Sequence, residues 1–157
     1  MAIAFIGLGS NLGDRQRNLT TALERLGGLA STKLLQSSGW METTPAGGPA
    51  QGMFLNGVAR IETELAPQRL LSALQEIEQI LGRPKIHPPL SPRVIDLDLL
   101  TYDQRILQEP DLILPHPRMH ERIFVLSPLS EIAPDWSHPA LKKSAAELLE
   151  ILVHANR

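Results

Sequence analysis

Arg93-Val94-Ile95-Asp96-Leu97-Asp98-Leu99-Leu100 places two carboxylates one residue apart inside an apolar, β-branched run of the kind that fills a core. Burying one unpaired charge is expensive, and burying two like charges more so. On a strand, Ile95, Leu97 and Leu99 point to one face while Asp96 and Asp98 point to the other. A rise of about 3.3 Å per residue sets the two Asp Cβ atoms roughly 6 to 7 Å apart, close enough for their oxygens to converge on shared cations. Hard divalent ions such as Mg²⁺ suit that arrangement, with substrate phosphates and water filling the other positions. A short D-x-D equally describes the wet side of a half-exposed strand, so the rest of the chain has to decide.

Upstream of this strand, Arg83 to Pro92 carries four prolines and is a loop; downstream, the strand runs to Tyr102. Asp103-Gln104 forms a turn into a short strand around Arg105 to Leu107. At the N-terminus, Ala2 to Leu8 is a buried strand leaving into a turn at Gly7-Leu8-Gly9-Ser10-Asn11. Asp14 caps a helix with Leu19, Ala22, Leu23 and Leu26 on one face, ended by Gly27-Gly28. Lys33 to Trp40 is a second strand, and Thr43-Thr44-Pro45-Ala46-Gly47-Gly48-Pro49 is irregular. Phe54 to Thr63 is a third strand. Pro67 opens a helix with Leu70, Leu71, Leu74, Ile77 and Leu81 on its apolar side, closed by Gly82. Pro115-His116-Pro117 is extended or turned. Helical segments follow near Glu121 to Leu126 and from Ser144, where Glu147 completes a Ser-x-x-Glu capping box.

The order β, α, β, β, α, β predicts an α+β, ferredoxin-like sandwich in which a mainly antiparallel sheet is covered by helices. A strict βαβαβ alternation, the mark of a doubly wound parallel sheet, is missing. With 157 residues the chain is the size of one domain, so residues 1–157 are expected to form a single unit. Apolar content of 43% and charged content of 20% are those of an ordinary globule. No spanning segment or signal peptide is visible, and there is no cysteine, so neither a membrane, a disulfide framework nor a thiolate site is expected. A cytoplasmic monomer is the expectation.

The net charge of −2 argues against a nucleic-acid surface. Arginine nevertheless outnumbers lysine eleven to four, and Arg83, Lys85, Arg93, Arg118 and Arg122 fall in or beside loops around the Asp pair. Cations of the bidentate kind beside paired carboxylates describe a metal and polyphosphate site.

Other motifs carry less. Gly7 to Gly13 has neither P-loop spacing nor a complete G-x-G-x-x-G, and is a tight turn. His116 and His120 are four apart, but Pro117 disrupts the geometry of a helical zinc pair; His116 can instead donate to a phosphate. No serine sits in a G-x-S-x-G elbow. Trp40, Phe54 and Asn56 beside the Gly/Pro loop offer aromatic faces and an amide edge to a flat heterocycle.

In order and spacing these pieces resemble the 6-hydroxymethyl-7,8-dihydropterin pyrophosphokinase family of folate biosynthesis. The resemblance runs through Phe5-Ile6-Gly7-Leu8-Gly9-Ser10-Asn11-Leu12-Gly13-Asp14, Glu42-Thr43-Thr44-Pro45, Phe54-Leu55-Asn56, Ile77-Glu78, Leu81-Gly82-Arg83, Pro92 to Asp98, Leu114-Pro115-His116-Pro117 and Pro128-Leu129. It implies transfer of the terminal diphosphate of ATP to the pterin hydroxymethyl group with release of AMP and two Mg²⁺ ions. On that resemblance Asp96 and Asp98 are the metal ligands. Arg83 and Arg93 hold the transferred diphosphate, and Leu71, Lys85, Leu99, His116 and Arg122 contact ATP. Thr43, Thr44, Pro45, Ala46, Gly47, Phe54, Asn56 and Phe124 form the pterin pocket, with the two phenylalanines sandwiching the ring.

The chain departs from the family pattern before Pro92-Arg93. Pro89, Leu90 and Ser91 stand where a basic residue, an aromatic or similar one, and a glycine are usual, while Asp111 and Pro117 replace residues that some members use toward ATP. Those departures motivate an alternative expectation: a catalytically impaired homologue that binds nucleotide and pterin without reacting. A D-x-D glycosyltransferase is the other rival, disfavoured by the short chain.

Overall fold

A computed structural model describes residues 1–44, 52–82 and 93–155. β1 (Ala2–Ser10), β2 (Thr32–Ser37), β4 (Phe54–Thr63) and β5 (Asp96–Tyr102) form an antiparallel sheet in the order β2-β4-β1-β5, and β3 (Met41–Thr43) extends it beside β4. With α1 (Arg15–Gly27) following β1 and α2 (Pro67–Ile80) following β4, this is the ferredoxin-like order that the sequence predicts. A separate hairpin pairs β6 (Leu107–Glu109) with β7 (Leu112–Leu114). The chain then makes a single 3-10 turn at Met119–Glu121 and finishes with α3 (Ile123–Ile132) and α4 (Ala145–Ala155).

The helices form where the local signals place them. The Asp14 side chain accepts from the Arg17 N–H at 3.1 Å, and Leu19, Ala22 and Leu26 are buried one turn apart. Pro67 occupies the first turn of α2, where its missing N–H costs nothing, and Gly82 takes a φ of +113° just after its end. At α4, Ser144 and Glu147 exchange bonds of 3.0 and 3.1 Å, completing the capping box.

Period-two alternation on β1 divides the molecule. Ala4, Ile6 and Leu8 join Leu19, Leu26, Leu70, Leu74, Leu97 and Leu99 in a core between the sheet and α1 and α2. Phe5 turns to the opposite face and packs with Val58, Leu100, Met119, Val125 and Leu129 against α3 and α4. Each of these large side chains contributes about 1.5–3 kcal/mol by leaving water. The second core covers only part of that face, and the uncovered end is where the carboxylates lie.

Several elements differ from expectation. β3 is a separate strand that starts beyond Trp40, and the predicted strand Lys33 to Trp40 stops at Ser37. Ser38 ends it, donating its N–H to the Val58 carbonyl and accepting the Val58 N–H on Oγ, both at 2.9 Å. Thr43 is the last residue of β3, paired with Phe54, rather than irregular. β1 continues through Ser10, so Gly7 and Gly9 are strand residues and not a turn. The short strand expected at Arg105 to Leu107 lies instead at Leu107–Glu109, with β7 as a partner that had no expectation. Helix α3 runs past Leu126 to Ile132 despite Pro128, because Leu129 and Ile132 are buried in the second core and tertiary packing outweighs the proline penalty. The alternation of Ile95, Leu97 and Leu99 with Asp96 and Asp98 holds, and Leu100 continues it into the second core; it breaks only beyond Leu100, where β5 shifts register on β1 between Phe5 and Ile6 and Tyr102 returns to the first core. Among the described residues, no helix is long and apolar enough to cross a membrane.

Candidate active site

Two rows of residues run across the uncovered end of the sheet. Asn56, Gly9 and Asp96 are in register on β4, β1 and β5, and so are Val58, Gly7 and Asp98. A glycine thus lies between the flanking side chains in each row. With no Cβ at the centre, the sheet itself becomes the floor of a cavity of about 600 Å³, walled by Thr43, Thr44, Phe54, Asn56, Arg93, Asp96, Asp98, Arg122 and Phe124. A Cβ on Gly9 would stand 2.8 Å from Asn56 Oδ1 and 3.5 Å from the Phe54 ring.

Asp96 is paired with Arg93, whose guanidinium nitrogen lies 3.3 Å from Oδ2. Asp98 is pushed up to about 7, first by burial and then by the Asp96 charge, with Glu78 adding to the effect and Arg122 and Arg93 opposing it. An all-oxygen pair of carboxylates that repel each other at neutral pH fits a hard divalent cation, which removes that repulsion. Among the described residues no group of three or more His, Cys, Asp or Glu gathers here. A cation at this pair would therefore draw further oxygens from substrate and water, the mode that suits Mg²⁺. Arg93 Nε is buried without a hydrogen-bond partner among the described residues, an orphaned donor that an anionic ligand can satisfy.

On the other side of Asp98 lies a smaller cavity of about 260 Å³, walled by Leu71, Leu97, Leu99, Asp111, Leu112, His116 and Pro117. Asp98 borders both cavities. His116 is held against the outer edge of β5 by its N–H, which donates to the Leu100 carbonyl at 2.8 Å, while Nδ1 accepts from the Arg118 N–H at 3.2 Å. Burial, and then the Arg122 charge, lower this imidazole to about 4. It is neutral at pH 7 and carries its proton on Nε2, leaving one N–H to donate.

In the larger cavity, Asn56 Nδ2 donates to Thr43 Oγ1 at 2.7 Å, which turns Oδ1 toward Gly9. The Arg122 guanidinium sits 5.4 Å from the Phe124 ring centre. Trp40, expected beside this pocket, is on the opposite face, where its ring occupies the space that a Gly57 side chain would fill. His120 packs edge-on to His138 at 6.2 Å and lines neither cavity.

The fold therefore brings Arg93, Asp96, Asp98, Arg122, Thr43, Thr44, Phe54, Asn56 and Phe124 to one cavity, and Leu71, Leu99 and His116 to its neighbour. Arg83, Lys85, Pro45, Ala46 and Gly47, with the Pro88 to Ser91 departure, lie outside the described residues. Sequence reasoning assigned no role to two buried polar residues. Glu78 sits four residues after Leu74 on the apolar side of α2 and accepts from the Leu97 N–H at 2.8 Å; a charge on a buried stripe was its signal. Asn11, bonded to Arg93, gave no local signal.

The profile of the 7,8-dihydro-6-hydroxymethylpterin-pyrophosphokinase (HPPK) family matches residues 5–134. A 2-amino-4-hydroxy-6-hydroxymethyldihydropteridine pyrophosphokinase of Synechocystis is 40% identical over 147 residues, covering 94% of this chain and 74% of that protein. A folic acid synthesis protein of Pneumocystis carinii is 41% identical over 149 residues, covering 95% of this chain but only 20% of that protein. The solved HPPK-DHPS of Plasmodium falciparum with pteroate matches 98% of this chain and 42% of that one with a TM-score of 0.76; at 15% identity it speaks for the fold alone. The chain belongs to the HPPK family, enzymes that move a diphosphate from ATP to a dihydropterin in folate biosynthesis.

Proposed function

We propose that this chain transfers the terminal diphosphate of ATP to the hydroxymethyl group of 6-hydroxymethyl-7,8-dihydropterin and releases AMP. It would do so as a cytoplasmic monomer with two Mg²⁺ ions held by Asp96 and Asp98. The observation that carries the assignment of roles is the position of Asp98 on the border of two cavities, one apolar enough for an adenine and one offering an amide edge between aromatic side chains. A phosphate chain running from the smaller cavity to the larger must pass the carboxylate pair.

When bound there, the divalent ions supply charge neutralisation and alignment of the attacking and leaving oxygens. The chain's own residues do the rest. Arg93, anchored on Asp96, offers its remaining donors to the transferred diphosphate, and Arg122 adds positive charge beside Asp98. His116 donates from Nε2 as a neutral hydrogen-bonder, so its contribution needs no protonation at pH 7. Asn56, oriented by Thr43, reads the pterin edge, while Phe54 and Phe124 supply apolar faces.

Incubation with Mg²⁺, ATP and the dihydropterin tests the reaction, with AMP and pterin diphosphate separated chromatographically. Equimolar formation of both, dependent on the pterin, is expected. Nucleotide and pterin binding without AMP would leave a binding module and overturn the assignment.

A further inference from the structure

We propose that Asn11 is a positioning residue for the transfer reaction, a single amide that holds the diphosphate-binding arginine and the entry to the pterin wall in one frame. This rests on the functional assignment above. Asn11 is 6% exposed and follows β1 directly. Its backbone N–H donates to the Arg93 carbonyl at 3.0 Å, and its Oδ1 accepts from the Arg93 N–H at 2.8 Å. Arg93 is thus gripped at both backbone polar groups by one residue, three positions before Asp96, to which its guanidinium is paired. The other end of the same amide, Nδ2, donates to the Gly52 carbonyl at 3.2 Å, two residues before Phe54 opens β4.

The side chain has to accept in one direction and donate in the other. Asparagine does this at the reach of one Cγ; aspartate keeps the acceptor and loses the donor, and alanine loses both. Its bonds to Arg93 and Gly52 both lead into walls of the larger cavity, the first by way of β5 and the second by way of β4. The turn that carries Asn11 is itself braced. Asn18 Nδ2 donates to the Leu12 carbonyl at 2.8 Å and lies 3.2 Å from Ser10 Oγ. A frame anchored this way fixes where the Arg93 guanidinium meets the diphosphate relative to the pterin hydroxymethyl group, and in-line transfer is sensitive to that distance.

The two ends of the amide predict separable defects. In Asn11→Ala the single-turnover rate falls by about 10²-fold, the loss typical of a roughly 1 Å misplacement, when each protein is assayed equally far below its own melting temperature. Binding of a non-hydrolysable ATP analogue with Mg²⁺ stays within about threefold of wild type, since the smaller cavity is untouched. Asn11→Asp keeps the acceptor for Arg93 and recovers most of the rate, but with the Gly52 donor gone its KM for the pterin rises by about tenfold. An alanine variant turning over within about threefold of wild type overturns the proposal, as does an aspartate variant as slow as alanine with an unchanged pterin KM. If Asn11→Ala does not fold, the aspartate variant decides alone by its split between rate and KM. Wild-type protein that forms no AMP marks failure of the functional assignment instead.

Discussion

The Glu78 carboxylate accepts the Leu97 N–H at 2.8 Å, setting a third acidic group behind the strand that carries Asp96 and Asp98. β5 is the outer strand of its sheet, and Leu97 presents a donor on the side away from β1. Glu78 satisfies it from α2, and His116 does the same for the Leu100 carbonyl, so the exposed edge is closed by side chain and loop rather than by another strand. The charge of Glu78 also adds to the pressure that raises Asp98. The strand is built under electrostatic load, which a cation at its open face relieves.

Glu78→Gln separates the two effects. Glutamine keeps an acceptor for the Leu97 N–H and removes the charge, so the Asp98 pKa falls, as a carboxyl ¹³C titration in metal-free protein will show. Glu78→Ala leaves the Leu97 donor buried and unpaired and costs about 1–3 kcal/mol in urea unfolding. An Asp98 titration unmoved by Glu78→Gln excludes the electrostatic coupling.

Asp98 and His116 tilt the pH dependence of stability in opposite directions. Asp98, raised from 3.8 to about 7, binds more protons folded than unfolded in that window, so its contribution is full at low pH and lost as pH rises toward about 7. His116, lowered from 6.5 to about 4, binds fewer protons folded than unfolded, so its contribution is lost as pH falls from 6.5 toward about 4. Without divalent cations the two slopes offset each other between about pH 4 and 6.5. The stability difference between wild type and His116→Asn should therefore grow more favourable to wild type with rising pH across that window. A difference that does not change with pH counts against a depressed His116.

Asp98→Asn removes one of two charges that repel each other. In EDTA at pH 8 the variant should be more stable than wild type by at least about 1 kcal/mol, roughly one pKa unit of relieved repulsion. Added Mg²⁺ narrows or reverses that gap by stabilising wild type, and the variant's AMP formation falls by two orders of magnitude or more, about the loss of one well-placed stabilising group. A variant less stable than wild type in EDTA would show that the pair is not strained.

Gly9→Ala tests the floor of the larger cavity. The new Cβ stands 2.8 Å from Asn56 Oδ1, and Asn56 is held by Thr43 Oγ1 at 2.7 Å, so the amide must turn or the strands separate. The Kd for the pterin should rise by about tenfold or more, the effect of roughly 1.4 kcal/mol, while ATP-analogue binding holds. Calorimetry with each ligand in turn measures both; equal losses would mean that the whole sheet had shifted.

The elements with self-contained signals were legible in the residues themselves. The Asp14 cap, the Pro67 start, the Ser144–Glu147 box and the run Phe54 to Thr63 each depend on groups within a few residues of one another, and each is found where the local chemistry puts it. Elements that depend on a distant partner were not. The end of β2 at Ser37 needs Val58, the hairpin at Leu107–Glu109 needs Leu112–Leu114, and the continuation of α3 past Pro128 needs the second core.

The same boundary runs through the site. Alternation alone put Asp96 and Asp98 on the face opposite Leu97 and Leu99, because strand side chains change sides at every residue whatever the neighbours are. Nothing local could say that Gly7 and Gly9 would lie beside them in register and leave room for a ligand, that Asp98 would border two cavities, or that Glu78 and Asn11 would reach β5 from other elements. Those facts depend on strand register and on helix placement over residues far apart in the chain. Only the folded sheet, settled by burial of both its cores, brings them within hydrogen-bond distance.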